Sequence, residues 1–259
     1  MTAFLLVGST LLGLAIGSFL NVVVYRVPVG VPLSRPPSAC PACAQAIATR
    51  DNIPVLSWIV LRGRCRHCHA RISARYPAVE LATGALWVAV ALRFGWSWTT
   101  PAMDAFVAGL VALACIDLER YLLPKRVVYP TVLVSAAFLV VATVSGREWH
   151  RLGVAVIAAV LAFGLFFALN WCNPRWLGFG DVRLAGVIGL VLGWLGLPYL
   201  LVGLLAANLA GIVVAAVLIG SGRIRRDTPI PYGVFLSAGS VAAVLAGDPL
   251  TRLLTAYRL

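Results

Sequence analysis

Residues 152–171 have the sequence LGVAVIAAVLAFGLFFALNW, a run of apolar and small residues without a charged side chain. An α-helix needs about 20 such residues to cross the hydrocarbon core of a bilayer. The whole chain of 259 residues is 61% apolar and only 12% charged, whereas soluble domains carry about 25% charged residues. The sequence therefore predicts a protein that lies mostly within a membrane.

Similar apolar runs recur along the chain. They predict about eight transmembrane helices, at residues 4–24, 78–95, 100–117, 127–145, 152–171, 182–197, 199–220 and 232–247. No Lys or Arg precedes the first run and no small-residue cleavage site follows it, so we expect a retained helix rather than a cleaved signal. The expected fold class is an all-α polytopic membrane protein.

Lys and Arg residues are distributed unevenly between the predicted loops. If the N-terminus lies outside, fifteen of them fall in segments facing the cytoplasm, and four fall in the outer loops and the C-terminal tail. Because loops rich in Lys and Arg stay on the cytoplasmic side, we expect the N-terminus outside. The same distribution accounts for the net charge of +12 through membrane topology. We therefore expect membrane lipid, and no nucleic acid, as a partner.

The longest hydrophilic segment, residues 25–77, contains two Cys-x-x-Cys pairs. The four cysteines are Cys40, Cys43, Cys65 and Cys68. Two such pairs at this spacing are typical of tetrahedral zinc held by four thiolates. A segment of about 50 residues has too small a core to fold by burial alone and usually needs a bound metal or a similar cross-link. We therefore predict a structural metal in a cytoplasmic insert. The alternatives are a redox dithiol, unpaired cysteines, or competing ligation by His67 or His69.

Two aspartates lie at the ends of predicted membrane helices. Asp117 ends the third predicted span and Asp181 directly precedes the sixth. Alternation of the spans brings both carboxyl groups to the cytoplasmic end of the membrane. Two adjacent carboxyl groups share one proton, so one can activate water while the other polarises a carbonyl. The pattern predicts a catalytic pair, and the alternative is two polar helix ends, since a carboxylate suits a helix N-terminus.

Three residues are predicted to support this pair. Gly178 and Gly180 precede Asp181 and would let backbone and substrate approach it closely. Glu80, at the start of the second span, either contacts substrate or pairs with Arg75, and we favour the ion pair. Outside this set, Asn21 is expected to hydrogen-bond another helix, and Asp104, Asp227 and Asp248 are expected to be loop or helix-end charges.

Together these motifs resemble those of the bifunctional type IV prepilin peptidases. The resemblance runs through GSFLNVVVYRVP (17–28), both cysteine pairs, RDNIPVLSW (50–58), ISARYPAVE (72–80), the Asp117 segment and GFGD (178–181). It implies a Gly-x-Gly-Asp intramembrane aspartyl protease with Asp117 and Asp181 as its pair. It also implies a prepilin or pseudopilin substrate whose basic leader is cut after a glycine. The new N-terminal residue, usually Phe or Met, would then be methylated with S-adenosylmethionine.

The resemblance also implies a location and a division of the chain. The location is the inner membrane of a bacterium, with the active site facing the cytoplasm. The parts are a first transmembrane helix (1–24), a zinc-binding insert associated with methyl transfer (25–77) and a transmembrane protease domain (78–259). No glycine pattern in the sequence locates S-adenosylmethionine. Two other classes stay open: an ion or proton transporter that uses the aspartates, and a metal-stapled assembly protein without catalysis.

Overall fold

The structure is a computed structural model that describes residues 2–174, 177–225 and 228–256, with side chains as far as Asp248. In these residues the regular elements are helical, and two isolated β-bridges occur in the insert. The helices are α1 (Thr2–Arg26), α2 (Leu56–Val60), α3 (Arg75–Phe94), α4 (Thr99–Arg120), α5 (Lys125–Gly146), α6 (Trp149–Cys172), α7 (Phe179–Leu195), α8 (Leu197–Gly220) and α9 (Tyr232–Ala256). The predicted all-α class is confirmed.

A long helix occupies each of the eight predicted spans. Among the described residues, α1, α3, α4, α5, α6 and α8 are long and apolar enough to cross a membrane. Helix α7 has 17 residues, and within the described side chains the apolar part of α9 covers Tyr232–Asp248. Seventeen helical residues extend about 26 Å, slightly less than a hydrocarbon core of about 30 Å. Length and composition therefore support six spans, and the predicted count of eight is not confirmed.

The chain divides into two compact units, Met1–Trp96 and Ser97–Leu259. In the first unit, α1 packs along α3. A methyl group added to Gly17 would lie 2.7 Å from the Cα of Glu80, so glycine permits this close approach. The Asn21 side chain donates from Nδ2 to the carbonyl of Tyr76 at 3.1 Å, which confirms the predicted bond to another helix.

In the second unit, α4 and α7 bury more than half of their residues. Helix α7 packs along α6, while α8 packs along α9 and α4 contacts both α5 and α9. Asp104 was predicted to be a helix-end charge, yet it is buried in the second turn of α4, and its Oδ1 has no hydrogen-bond partner within the described part of the chain. Asp227 lies outside the described residues. The two predicted catalytic aspartates thus belong to well-packed helices, which can hold them in place.

Candidate active site and metal centre

The two Cys-x-x-Cys segments fold into turns of the same shape. In the first, the N–H of Cys40 donates to the carbonyl of Gln45 at 2.9 Å, and in the second, the N–H of Cys65 donates to that of Ala70 at 2.9 Å. The residue after each pair has a left-handed backbone, with φ of 57° at Ala44 and at His69. Each turn is closed by one isolated β-bridge. This repeated geometry turns the sulfurs of both pairs toward one point.

The four sulfurs fit a tetrahedral metal ion. All four Sγ atoms lie within 4.8 Å of one another, and those of Cys40 and Cys68 are 3.8 Å apart. Zinc–sulfur bonds of about 2.3 Å give a tetrahedron with edges of about 3.8 Å. Among the described residues this group contains cysteines alone, so His67 and His69 are not part of it.

The electrostatics of the cluster also favour a cation. The backbone N–H groups of Cys68 and His67 lower the pKa of Cys65 to about 7. At Cys43 the backbone N–H of Gln45 favours the thiolate, but desolvation and the other three sulfurs raise the pKa to about 11. Four neighbouring thiolates therefore need a positive charge among them at neutral pH. A divalent metal ion supplies that charge when it replaces the thiol protons.

A second contact links the two halves of the insert. The guanidinium of Arg66 donates from Nε to Oδ2 of Asp51 at 2.8 Å and from Nη2 to Oδ1 at 2.5 Å. This paired hydrogen bond lowers the pKa of Asp51 below its ordinary value. It fastens the turn around Asp51 to the second cysteine pair.

Glu80 holds a strained part of the insert in place. Its buried Oε2 accepts a hydrogen bond from the N–H of Val55 at 2.7 Å. Val55 directly precedes α2 and has φ of 62°, which is unusual for a β-branched residue. Glu80 therefore bonds the backbone of the insert, and its predicted ion pair with Arg75 stays a prediction.

Replacing Glu80 with Ala is expected to loosen this segment. A hydrogen bond to a charged group contributes about 1.5–3 kcal/mol, so hydrogen exchange at the Val55 amide should become at least about tenfold faster. Hydrogen exchange followed by mass spectrometry of peptides that span Val55 measures the effect. Glu80→Gln keeps an acceptor oxygen and serves as the control. Unchanged protection in Glu80→Ala would show that this bond does not hold the segment.

Asp117 lies in the last turns of α4 and is 5% exposed. Its Oδ2 is buried and has no hydrogen-bond partner among the described residues. The start of α9 faces this carboxylate, with the backbone of Gly233 and Val234 near it. A methyl group added to Gly233 would lie 2.9 Å from that Oδ2. Glycine at 233 therefore leaves room for the carboxylate at the helix N-terminus.

Asp181 lies in the first turn of α7, where its Oδ2 accepts a hydrogen bond from the N–H of Gly178 at 3.2 Å. This bond satisfies one free N–H at the helix start. The Oδ1 atom is buried and has no partner among the described residues. One oxygen is thus used to orient the side chain, and the other is free for chemistry.

The two aspartates lie close enough for their charges to interact. They are brought together by Leu123, in the turn after α4. A methyl group added to Gly180 would lie 2.8 Å from the Cβ of Leu123, and one added to Gly233 would lie 2.9 Å from its Cδ2. Leu123 thus packs against the starts of both α7 and α9. The predicted support from Gly180 has a physical basis in this contact, while Gly178 contributes its N–H to Asp181.

Comparison with known proteins identifies the family of this chain. Residues 11–94 match the bacterial peptidase A24 N-terminal domain, and residues 105–219 match the type IV leader peptidase family. A protein of Burkholderia pseudomallei is 35% identical over 98% of this chain and 89% of its own length. The chain belongs to the type IV leader peptidase family. The predicted family resemblance is confirmed.

Other members of the type IV leader peptidase family are similarly close. A protein of Aeromonas hydrophila is 38% identical over 93% of this chain and 91% of its own length. One from Pseudomonas aeruginosa is 33% identical over 93% of this chain and 90% of its own length. These relatives carry the name prepilin leader peptidase/N-methyltransferase. No solved structure matches the chain.

Sequence reasoning missed several residues around the site. The backbone N–H of Val55, the side chain of Leu123 and the glycine at 233 had no role in the prediction. Each acts by steric fit or by a backbone hydrogen bond, which leaves no pattern of charge or spacing. Of these, Gly233 offered one signal, because it lies in the first turn of the predicted span 232–247, beside Pro231 and Tyr232.

Proposed function

We propose that this protein is a prepilin leader peptidase that also methylates the N-terminus it creates. Asp117 and Asp181 are the proposed catalytic pair. The observation that carries the proposal is the pair itself: two interacting carboxyl groups, each with a buried oxygen that lacks a partner. Family membership and the names of the relatives support the reaction.

The proposed reaction is hydrolysis of a peptide bond by water. One carboxylate removes a proton from the water molecule, and the other, protonated, donates a hydrogen bond to the carbonyl oxygen of the scissile bond. The two groups share one proton because two adjacent carboxylates cannot both ionise at low cost. The bond from Gly178 fixes the orientation of Asp181, and Leu123 fixes the distance between the helices. The substrate is a prepilin or pseudopilin with a basic leader.

The insert is the proposed structural metal centre. Cys40, Cys43, Cys65 and Cys68 would hold one zinc ion, because four sulfurs within 4.8 Å of one another suit tetrahedral coordination. The metal would hold the fold of the insert and take no part in peptide hydrolysis. S-adenosylmethionine is the methyl donor implied by the second half of the relatives' name.

We further propose that the N-terminus lies outside the bacterial inner membrane and that the aspartates face the cytoplasm. Support comes from the fifteen Lys and Arg residues in the loops on that side. In this topology the C-terminal end of α4 and the starts of α7 and α9 lie at the cytoplasmic face. The insert also lies there, where thiols stay reduced.

The test is incubation of the purified protein, in detergent, with a prepilin, in the presence and absence of S-adenosylmethionine. Mass spectrometry should show loss of the leader in both cases and addition of a methyl group only when the donor is present. A transporter that used the aspartates would instead carry ions or protons across proteoliposomes without cutting prepilin. A metal-stapled assembly protein would bind prepilin and leave it intact.

A further inference from the structure

An apolar groove runs between α8 and α9 in the second unit. It has a volume of about 270 Å³ and is lined by Asn208, Ile212 and Ala215 of α8, by Ile230 in the segment before α9, and by Tyr232 and Phe235 in the first turn of α9. We propose that this groove binds the apolar helical segment of the prepilin that follows the scissile bond. The proposal rests on the proposed peptidase function and identifies where that substrate lies.

The groove begins at the proposed catalytic pair. Tyr232 directly precedes Gly233, and a methyl group on that glycine would lie 2.9 Å from Oδ2 of Asp117. The phenol of Tyr232 also lies within electrostatic reach of Asp181. Its ring stacks on Phe166, with 6.4 Å between the ring centroids, so the position of the side chain is fixed. A chain cut between the aspartates would therefore meet the groove within a few residues.

The residues that line the groove favour the segment after the scissile bond over the basic leader before it. The described residues that line the groove include no carboxylate, so those side chains would not neutralise the Lys and Arg residues of a basic leader. The apolar side chains would instead bind apolar residues by burying their surface. Because the basic residues belong to the leader, the segment that fits this apolar lining is the one after the scissile bond, which begins with Phe or Met in the substrates that the resemblance implies.

Asn208 marks this face of α8 as different from the rest of the helix. Helix α8 exposes large apolar side chains along its length, including Leu201, Leu205 and Leu209. An exposed amide among them is costly in lipid and marks a candidate functional position. Its Nδ2 donates to the carbonyl of Leu204 at 2.8 Å, and its Oδ1 accepts from the hydroxyl of Tyr232 at 3.2 Å. The amide therefore helps to fix Tyr232 at the mouth of the groove.

The groove follows the helix axis. Gly211 and Ile212 follow Asn208 by three and four residues, and Ala215 follows them by four and three, so the four residues share one face of α8. A methyl group added to Gly211 would touch only Phe235, at 3.6 Å, so the floor of the groove is open at this point. A continuous face of this length suits a helix lying alongside α8 and α9 better than a single side chain.

Photocrosslinking tests the proposal in the full-length protein. The photoreactive residue p-benzoylphenylalanine replaces Ile212 in the groove or, as the matched control, Val213, which is 58% exposed on another face of α8. Both are combined with Asp117→Asn so that prepilin stays uncut. We expect a crosslink from position 212 to prepilin residues after the scissile bond and little from position 213. Equal crosslinks from both, crosslinks to leader residues, or crosslinks only to lipid or to a second copy of the chain would overturn the proposal.

A kinetic test uses Ala215→Trp, with Ala216→Trp as its control on the exposed face of α8. Filling the groove should raise KM for full-length prepilin at least about tenfold. A short peptide that ends just after the scissile bond should be cut as before by both variants. Equal effects on both substrates, or no effect on either, would contradict the groove while aspartate-dependent cleavage still supported the peptidase. Absence of cleavage by the unaltered protein would instead contradict the proposed function.

Discussion

Replacing either Asp117 or Asp181 with Asn is expected to lower the rate of prepilin leader cleavage by about a thousandfold or more. General acid and base catalysis each contribute about 10²–10⁴ in rate, and an amide cannot take the proton from water. Asparagine is close in size to aspartate, so packing against Gly233 and Leu123 should be kept. Cleavage is measured by the change in prepilin mass at fixed enzyme concentration.

The double variant distinguishes a pair from two separate contributions. Residues that act as one unit show strongly non-additive effects. Asp117→Asn combined with Asp181→Asn should therefore be about as slow as either single variant. If the rate of the double variant falls by the product of the two single losses, the two carboxyl groups act independently.

Asp104 serves as a control for the effect of replacing a buried aspartate outside the proposed pair. It lies on the same helix as Asp117, is 8% exposed and also has an oxygen without a partner. Asp104→Asn makes the same chemical change about 20 Å further along α4, and cleavage should continue at nearly the unaltered rate. If both catalytic-pair variants cut prepilin as fast as Asp104→Asn does, the proposed assignment is wrong.

The helices could be predicted because apolar runs leave a strong signal in this sequence. Residues 152–171 lie within α6, and each other predicted span coincides with a long helix. Whether a helix crosses the membrane depends on more than its sequence, as α7 shows. Its 17 residues are mostly buried by neighbouring helices, so packing rather than lipid surrounds much of its apolar surface. A hydropathy pattern cannot separate these two environments.

The site could be predicted in part, because some of its chemistry depends on residue type and spacing. The cysteine spacing predicted a cluster that the structure brings together, and the two aspartates lie near each other. Their catalytic role stays a prediction. The contacts that set their positions were not predictable. Leu123 meets Gly180 and Gly233 through close packing between distant segments, and Glu80 accepts a hydrogen bond from the backbone N–H of Val55.

The insert buries very few of its residues, so we expect loss of its metal to have a large effect on its stability. Of residues 27–74, Gly63 alone is buried, and the side chains around it are half-buried or exposed. Such a segment has almost no hydrophobic core to offset the entropy of ordering its backbone, about 1–2 kcal/mol per residue. The contacts that hold it include the ion pair of Asp51 with Arg66, the bond of Glu80 to Val55, and the cysteine cluster. Arg26 also donates hydrogen bonds to the carbonyls of Pro32, Leu33 and Pro36, and the indole of Trp58 donates to that of Ile72. An exposed ion pair contributes little to stability, so we expect the metal-bound cluster to supply the largest share.

Removal of the metal is therefore expected to unfold the insert while the long helices persist. Structural zinc contributes about 10–16 kcal/mol in small metal-folded domains. Treatment with a strong chelator, or the variant Cys65→Ser, should release about one equivalent of metal per chain. Hydrogen exchange should become fast throughout residues 39–72 and stay slow in α4 and α7. Cys172→Ser changes an exposed cysteine outside the cluster and should keep both the metal and the protection. An insert that stays protected after complete metal loss would show that the hydrogen bonds and the ion pair suffice, and that the four sulfurs do not staple the fold.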